Sequence, residues 1–412
     1  MSTDNNAVNT LIPHLFRQEY GKMTAVLSRY FGWQYIDVAE DIVSETFLKA
    51  TEHWLQHGIP ANPSAWLYTV ARNKAKDYLK RNQLFEKKIK ATIKPAETIT
   101  EIAFEFNDAI IADSQLSMIF VVCDPVNAAP AQICLALQIL CGFSVEEIAN
   151  AFLSNVETIK KRLLRARANL RTDSFQLRAL SKTAISTRLE VVLKTVYLLF
   201  NEGYFSQSEK EFIRKDLCSE AIRLTLLLAE NNLTNSPKVN ALMALMCFQS
   251  SRLNARINDA GEAILYDDQD RHLWDPFLIK KGNYYFWQAF ANQEVSTYHL
   301  EAAIAYWHTI HTEDKWTHIL QLYNQLLIME YSPASAINRT FAFAKVYGHE
   351  LAIKEAAKLD LTVNSYYHGL MGFLYTGIDS SLAVAHYQQA LALTRSLVEK
   401  KVFAYKIQQL VS

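Results

Sequence analysis

Glycine and proline are scarce in this chain, numbering 11 and 9 in 412 residues. With so few helix breakers and with alanine and leucine frequent, the sequence favours an all-α fold. No charge of one sign dominates. Lys plus Arg and Asp plus Glu stand at 42 each, so net charge alone points to no partner. The five cysteines, Cys123, Cys134, Cys141, Cys218 and Cys247, form no C-x-x-C pair and no His/Cys ligand spacing. This argues against a zinc site or a disulfide framework and fits buried thiols in a reducing compartment. No apolar run approaches the length of a membrane span, and the N-terminus lacks the apolar core of a signal peptide. A soluble, cytoplasmic protein is therefore expected. Half the residues are hydrophobic, which argues against wholesale disorder and allows a sizeable core. The length suits about three domains.

The charge is unevenly placed. Residues 142 to 171 read as two helices joined by a tight turn. Ser144 with Glu147, and Ser154 with Glu157, have capping-box spacing and mark two helix starts. In the second helix Ile159, Leu163, Ala166 and Leu170 recur on one apolar face. Lys160, Lys161, Arg162, Arg165, Arg167 and Arg171 fill the other faces. A helix with an apolar back and cationic faces is what a helix-turn-helix lays in the DNA major groove. A solvated basic face in an ordinary helix pair has the same composition.

A second basic cluster lies upstream, with Arg72, Lys74, Lys76, Lys80, Arg81, Lys87, Lys88, Lys90 and Lys94 set against only Asp77 and Glu86. Two separated clusters suggest two contacts with a polyanion, and hence strongly salt-dependent binding. Leu67, Ala71, Ala75 and Tyr78 give the helix around the first part of this cluster a buried side. Arg72, Lys76 and Lys80 stand on another side, with Asn73, Asp77 and Arg81 beside them. Amides, cations and the nearby aromatics Trp66 and Tyr68 are the groups that hold phosphates and exposed bases. Core packing is the competing reading for Trp66. Before this helix, Pro60 and Pro63 break the chain, and Ser64 can cap the helix itself. Earlier still, Val43, Phe47, Ala50 and Trp54 define an amphipathic helix over Ala39–Trp54, with Asp41, Glu45 and Glu52 on its opposite face.

These features stand in a familiar order. The segments AEDIVSETFLKA and PSAWLYTVARNKAKDYLKR resemble region 2 of bacterial sigma factors of the extracytoplasmic-function group, and residues 142 to 171 resemble region 4 of the same group. The segment between is too short for the middle domain of housekeeping sigma factors. The stretches SQLSMIFVVCDP, EVVLKTVYLLFNEGY, DLCSEAIRL and DDQDRHLWD are similar to the subgroup with a long C-terminal helical extension. Three departures stand out: the turn at Ser154-Asn155-Val156 has no glycine, Asp124 stands where His is frequent, and Val122 stands where Cys is frequent.

The resemblance implies four parts: region 2 over residues 8–90, a linker over 91–112, region 4 over 113–176 and an extension over 182–412. It implies core RNA polymerase and promoter DNA as partners, no cofactor or metal, and no catalysis by the chain itself. Asp41, Glu45 and Leu48 would dock on the β′ clamp helices, and region 4 on the β flap. Asn62 would help capture a flipped base of the −10 element. Trp66, Arg72, Asn73, Lys76, Lys80 and Arg81 would contact the same element. Thr158, Lys160, Lys161, Arg162, Arg165 and Arg167 would face the −35 element.

The extension carries weak repeat signals. Gly372, Tyr375, Ala383, Tyr387 and Ala390 resemble half of a tetratricopeptide repeat, and Trp316, Ile319, Tyr323, Leu326 and Pro333 have similar punctuation. Stacked helix pairs of this kind offer a concave surface for a regulatory protein or peptide. Three other functions compete: a helix-turn-helix regulator that works without polymerase, a tetratricopeptide-type scaffold, and an enzyme with metal held by Asp268, Asp270 and His272.

Overall fold

In the computed structural model, every regular element among the described residues is a helix. The structure describes residues 2–89, 104–152, 154–170, 182–205, 213–258, 264, 266–291, 294–394 and 396–411. They divide into two compact units, one of Met1–Asn150 with Ser154–Thr195, the other of Ala151–Leu153 with Val196–Ser412.

The first unit begins with α1 (Ser2–Phe31), α2 (Ile36–His57) and α3 (Pro63–Ile89). The expected stripe of α2 is its buried face: Val43, Phe47, Ala50 and Trp54 are all sealed from solvent. They meet Met23 and Leu27 of α1 and Leu67, Ala71 and Ala75 of α3. Each large apolar side chain buried in this way contributes roughly 1.5–3 kcal/mol. Gly58 ends α2 at φ 82° and ψ 165°, with its N–H on the Trp54 carbonyl. That backbone region is almost closed to residues with a Cβ.

Residues 90–103, which hold most of the expected linker, lie outside the described residues. The linker's last residues are helical, because Asn107 accepts a hydrogen bond from the Ile110 N–H at 2.9 Å and starts α4 (Asp108–Val122). α4 is apolar on nearly every side and is enclosed accordingly, with Met118, Ile119, Phe120 and Val122 buried. α5 (Ala129–Leu135) runs into a π-turn at Ala136–Leu140, followed by α6 (Val145–Ala151) and α7 (Val156–Leu170). α1 packs against both α4 and the π-turn. At the second contact Gly21 is so close that a Cβ there would lie 2.2 Å from the Leu140 carbonyl oxygen.

α8 (Lys182–Tyr204) contains the boundary between the units. The second unit continues with α9 (Lys215–Glu230), α10 (Pro237–Ser250), α11 (Pro276–Ala289), α12 (Thr297–Thr309), α13 (Lys315–Met329) and α14 (Pro333–Tyr347). It closes with α15 (His349–Ala357), α16 (Ser365–Tyr375), α17 (Ser380–Leu393) and α18 (Leu397–Val411). α10 is its central helix, buried from Val239 to Phe248 and packed on α9, α11 and α12. From α12 onward each helix packs on the next. Gly372 of α16 faces Tyr387 of α17 so closely that a Cβ would come within 2.8 Å of the ring. Both residues carried one of the repeat signals.

Candidate nucleic-acid and partner interface

The N-terminal ends of α3 and α7 show how local chemistry aims the two basic helices. At α3 the Asn62 side chain accepts from the Ala65 N–H at 3.0 Å and caps the helix. Ser64, the expected cap, lies inside the first turn and donates to Glu19 instead, at 3.2 Å. At α7 the Asn155 side chain accepts from the Thr158 N–H at 2.6 Å. The expected cap, Ser154, is displaced because its own N–H closes the turn on the Ala149 carbonyl at 2.9 Å. The box at α6 forms as its spacing predicts. Ser144 N–H donates to Glu147 at 2.7 Å, and Glu147 N–H donates to the Ser144 hydroxyl at 3.1 Å.

With α3 seated by Leu67, Ala71 and Ala75, the residues Asn73, Lys76, Asp77, Lys80 and Arg81 face solvent, and Asn62 is exposed just before them. Arg72 is half-buried, and its Nε has no hydrogen-bond partner among the described residues. Trp66 is drawn toward the core. Its ring lies 5.4 Å from both Trp54 and His53, which favours the packing reading over an open stacking platform. Lys74 crosses to Glu45 of α2 at 2.6 Å. Asp41, Glu45 and Leu48 lie together on the exposed side of α2, and Leu48 keeps 61% of its exposure despite being apolar. A cleft of about 400 Å³ between α2 and α3 is lined by Asp41, Glu45, Asn73, Asp77 and Arg81. Asp41 and Glu45 of α2 thus share a groove with Lys74 and Arg81 of α3, whereas Arg72, Lys76 and Lys80 lie outside its lining.

On α7 the stripe Ile159, Leu163, Ala166 and Leu170 is buried, as its period predicts. Thr158, Lys160, Lys161 and Arg165 face solvent. Lys160 pairs with Glu157 at 3.2 Å. Neither Lys161 nor Arg165 has an ion pair among the described residues. Arg162 is half-buried and reaches the Cys134 sulfur at 3.7 Å. Arg167 turns away from the other cations altogether. It bonds Glu40 at 2.6 and 3.0 Å, Asp37 at 2.7 Å and Gln138 at 2.8 Å. It is thus placed apart from the solvent-facing set with which the sequence grouped it. Arg171 lies outside the described residues.

This network has further members that the sequence did not reveal. The Tyr20 hydroxyl donates to Glu40 at 2.8 Å. Burial, then the Glu40 charge, pushes the Tyr20 pKa well up, so the phenol stays protonated. Burial works against the Arg167 charge, but Glu40 and Asp37 hold its pKa above the ordinary arginine value. Alongside, Arg17 pairs with Glu147 and lies 4.1 Å over the Phe143 ring. Tyr20, Glu40, Arg167, Arg17, Phe143 and Glu147 line a cleft of about 600 Å³. Arg17 and Arg167 reach Glu147, Glu40 and Asp37 from more than a hundred positions away in the chain, where periodicity carries no signal.

In the second unit Asp270 accepts from the His272 N–H at 2.9 Å, and Asp275 caps α11. The described residues contain no cluster of His, Cys, Asp or Glu that could hold a metal. No helix of the described residues is long and apolar enough to cross a membrane.

Comparison with known proteins bears on both units. Residues 15–85 match sigma-70 region 2, and residues 188–290 match a family of unknown function, DUF6596. An uncharacterized protein of Rhizobium meliloti (strain 1021) is 31% identical over 400 residues, spanning 94% of this chain and 92% of its own length. No solved structure matches the chain.

Proposed function

We infer that this chain, which belongs to one family with the Rhizobium meliloti protein and carries sigma-70 region 2 near its N-terminus, is an alternative sigma factor. It binds core RNA polymerase and promoter DNA, and the polymerase supplies the catalysis. The observation that carries this reading is that the region 2 match covers α2 and most of α3, whose exposed faces bear the acidic and the basic residues expected of a polymerase-docking and DNA-melting unit.

In this reading residues 8–90 serve as region 2, 91–112 as linker, 113–176 as region 4 and 182–412 as a regulatory extension with repeat-like helix pairs. The work is done in the cytoplasm. Asp41, Glu45 and Leu48 contact the β′ clamp helices, and region 4 approaches the β flap. Asn62, Asn73, Lys76, Lys80 and Arg81 contact the melted −10 strand, with Arg72 and Trp66 supporting them from beneath. Unstacking a base costs a few kcal/mol, so a base-holding loop beside a cationic helix is the form such a site needs. Thr158, Lys160, Lys161 and Arg165 reach the −35 element. A bidentate guanine contact contributes about 1–3 kcal/mol of discrimination, whereas a phosphate contact contributes only affinity.

Run-off transcription with core polymerase tests the reading. The full chain should direct promoter-dependent transcripts and bind duplex weakly by itself. Failure to form a stable complex with core polymerase would sink it. Tight, sequence-specific duplex binding without polymerase would favour the regulator, and retention of the cellular role after loss of residues 1–178 would favour the scaffold.

A further inference from the structure

The second unit gathers buried cations that have no ion pair among the described residues. Arg252 stands just after α10 and Lys315 opens α13, and they keep only 9% and 7% of their exposure. The Arg252 Nη2 donates to the Tyr204 hydroxyl at 3.2 Å. Its guanidinium carbon lies 5.3 Å from the centroid of Tyr266 and 5.9 Å from that of Trp274. The Lys315 Nζ donates to the Tyr266 hydroxyl at 3.2 Å and lies 4.8 Å from that ring and 5.1 Å from Trp316. Neither cation reaches a carboxylate among the described residues.

Three nitrogens around these rings are buried with no hydrogen-bond partner among the described residues: Arg252 Nε, Trp274 Nε1 and His308 Nδ1. His308 belongs to the same cluster, with its ring 4.8 Å from Tyr266 and 5.6 Å from Trp316. Burial, then Arg252 and Lys315, lowers its pKa well below the ordinary value, so the imidazole adds no charge. Lys315 is lowered as well, by burial first and then by Arg271, with Lys345 and Arg252 adding to the effect and the Asp267 charge working the other way. At the rim Arg271 is exposed, 5.4 Å over Trp274, and Lys345 pairs with Asp267 at 2.8 Å.

Four cations thus converge on one aromatic cluster, and among the described residues Asp267 is the acid that pairs with one of them, Lys345. Cation–π contact offsets part of the desolvation cost, but buried charges without counter-charges remain costly to a fold. Orphaned N–H donors add to that cost. An oxyanion relieves both at once, since it accepts from several N–H groups and neutralises the cations. The guanidinium fork matches phosphate and carboxylate geometry.

We propose that Arg252, Lys315 and Trp274, with Arg271 and Lys345 at the rim, form a binding site for the phosphate or carboxylate group of a small anionic molecule. Tyr266 is its hub, holding Lys315 by hydrogen bond and Arg252 by its ring face. The site does not depend on the polymerase reading.

Calorimetry and thermal melting of the full chain at constant ionic strength test this, with pyrophosphate and citrate as probes and chloride as the matched control. One of the two should saturate one site per chain and raise Tm by several degrees above chloride. Which one does so distinguishes phosphate from carboxylate chemistry. Arg252→Met and Lys315→Met should each weaken binding at least about tenfold. If either fails to fold, the rim double variant Arg271→Gln/Lys345→Gln decides. It should melt as the parent does without ligand and bind about tenfold more weakly. Absence of saturation by both probes, or unchanged affinity in the folded variants, overturns the proposal.

Discussion

The guanidinium of Arg167 grips both carboxylate oxygens of Glu40, at 2.6 and 3.0 Å, and so ties α7 to α2. Both side chains keep only 14% of their exposure. This places the pair among the mostly buried ion pairs, for which removal of one partner strands the other. Arg167→Ala should therefore cost about 3 kcal/mol of stability. Arg167→Lys should recover only part of it, because an ammonium cannot reproduce the fork. Denaturant melts of the three proteins check this, and a loss below about 0.5 kcal/mol would show that the bridge is not what holds these helices.

Arg165 provides the contrast. It faces solvent two positions away and has no ion pair among the described residues. Arg165→Ala should leave stability within about 0.5 kcal/mol of the parent. It should weaken transcription from a cognate −35 sequence more than it weakens core polymerase binding. Equal loss in the two assays would count against a direct DNA contact.

The start of α7 offers a test by cap exchange. Asn155→Ala removes the acceptor for the Thr158 N–H and should cost about 1 kcal/mol, whereas Ser154→Ala should cost a few tenths. Thermal melts that ranked the two in the opposite order would restore Ser154 as the cap.

Glu301 gives the second unit a pH signature. Burial pushes its pKa up to about 7, while the Tyr197 hydroxyl donates to both its oxygens at 3.0 Å and works the other way. Between about pH 4.5 and 7 the folded carboxyl keeps a proton that the unfolded one has released. The stability it contributes is full below the unfolded pKa and is lost as pH rises through 7, in all about 3 kcal/mol. Melting curves from pH 5 to 8 should show this fall, and Glu301→Gln should flatten it. Parallel curves for the two proteins would refute the assignment.

All five cysteines are buried, and burial pushes the thiols of Cys123, Cys218 and Cys247 up to about 12. The folded chain should react slowly with thiol reagents at neutral pH, and the denatured chain should react at all five. Rapid stoichiometric labelling of the native protein would contradict the packing.

The sequence makes legible whatever repeats locally. The stripes of α2 and α7 and the box at Ser144 and Glu147 arise from spacings of three and four residues, which the helix turns into faces. The one-residue shift of the cap from Ser154 to Asn155 could not be read, because both side chains are competent and the choice depends on where the Ser154 N–H finds an acceptor. Arg165 and Arg167 are the same residue type on one helix, and only a carboxylate brought in from α2 separates their roles. Arg252 and Lys315 lie 63 positions apart, with nothing in the local pattern to join them. Tertiary packing alone sets them around one tyrosine ring.

Gly21 sets a limit on how this protein can vary. A Cβ here would lie 2.2 Å from the Leu140 carbonyl oxygen, so the smallest enlargement available to the genetic code, one methyl group, forces α1 off the π-turn. A single base change suffices for it. Selection for variants that loosen α1 from the segment leading into α6, with every charged face intact, should return to this codon repeatedly. The acidic and basic faces would be the wrong places to look.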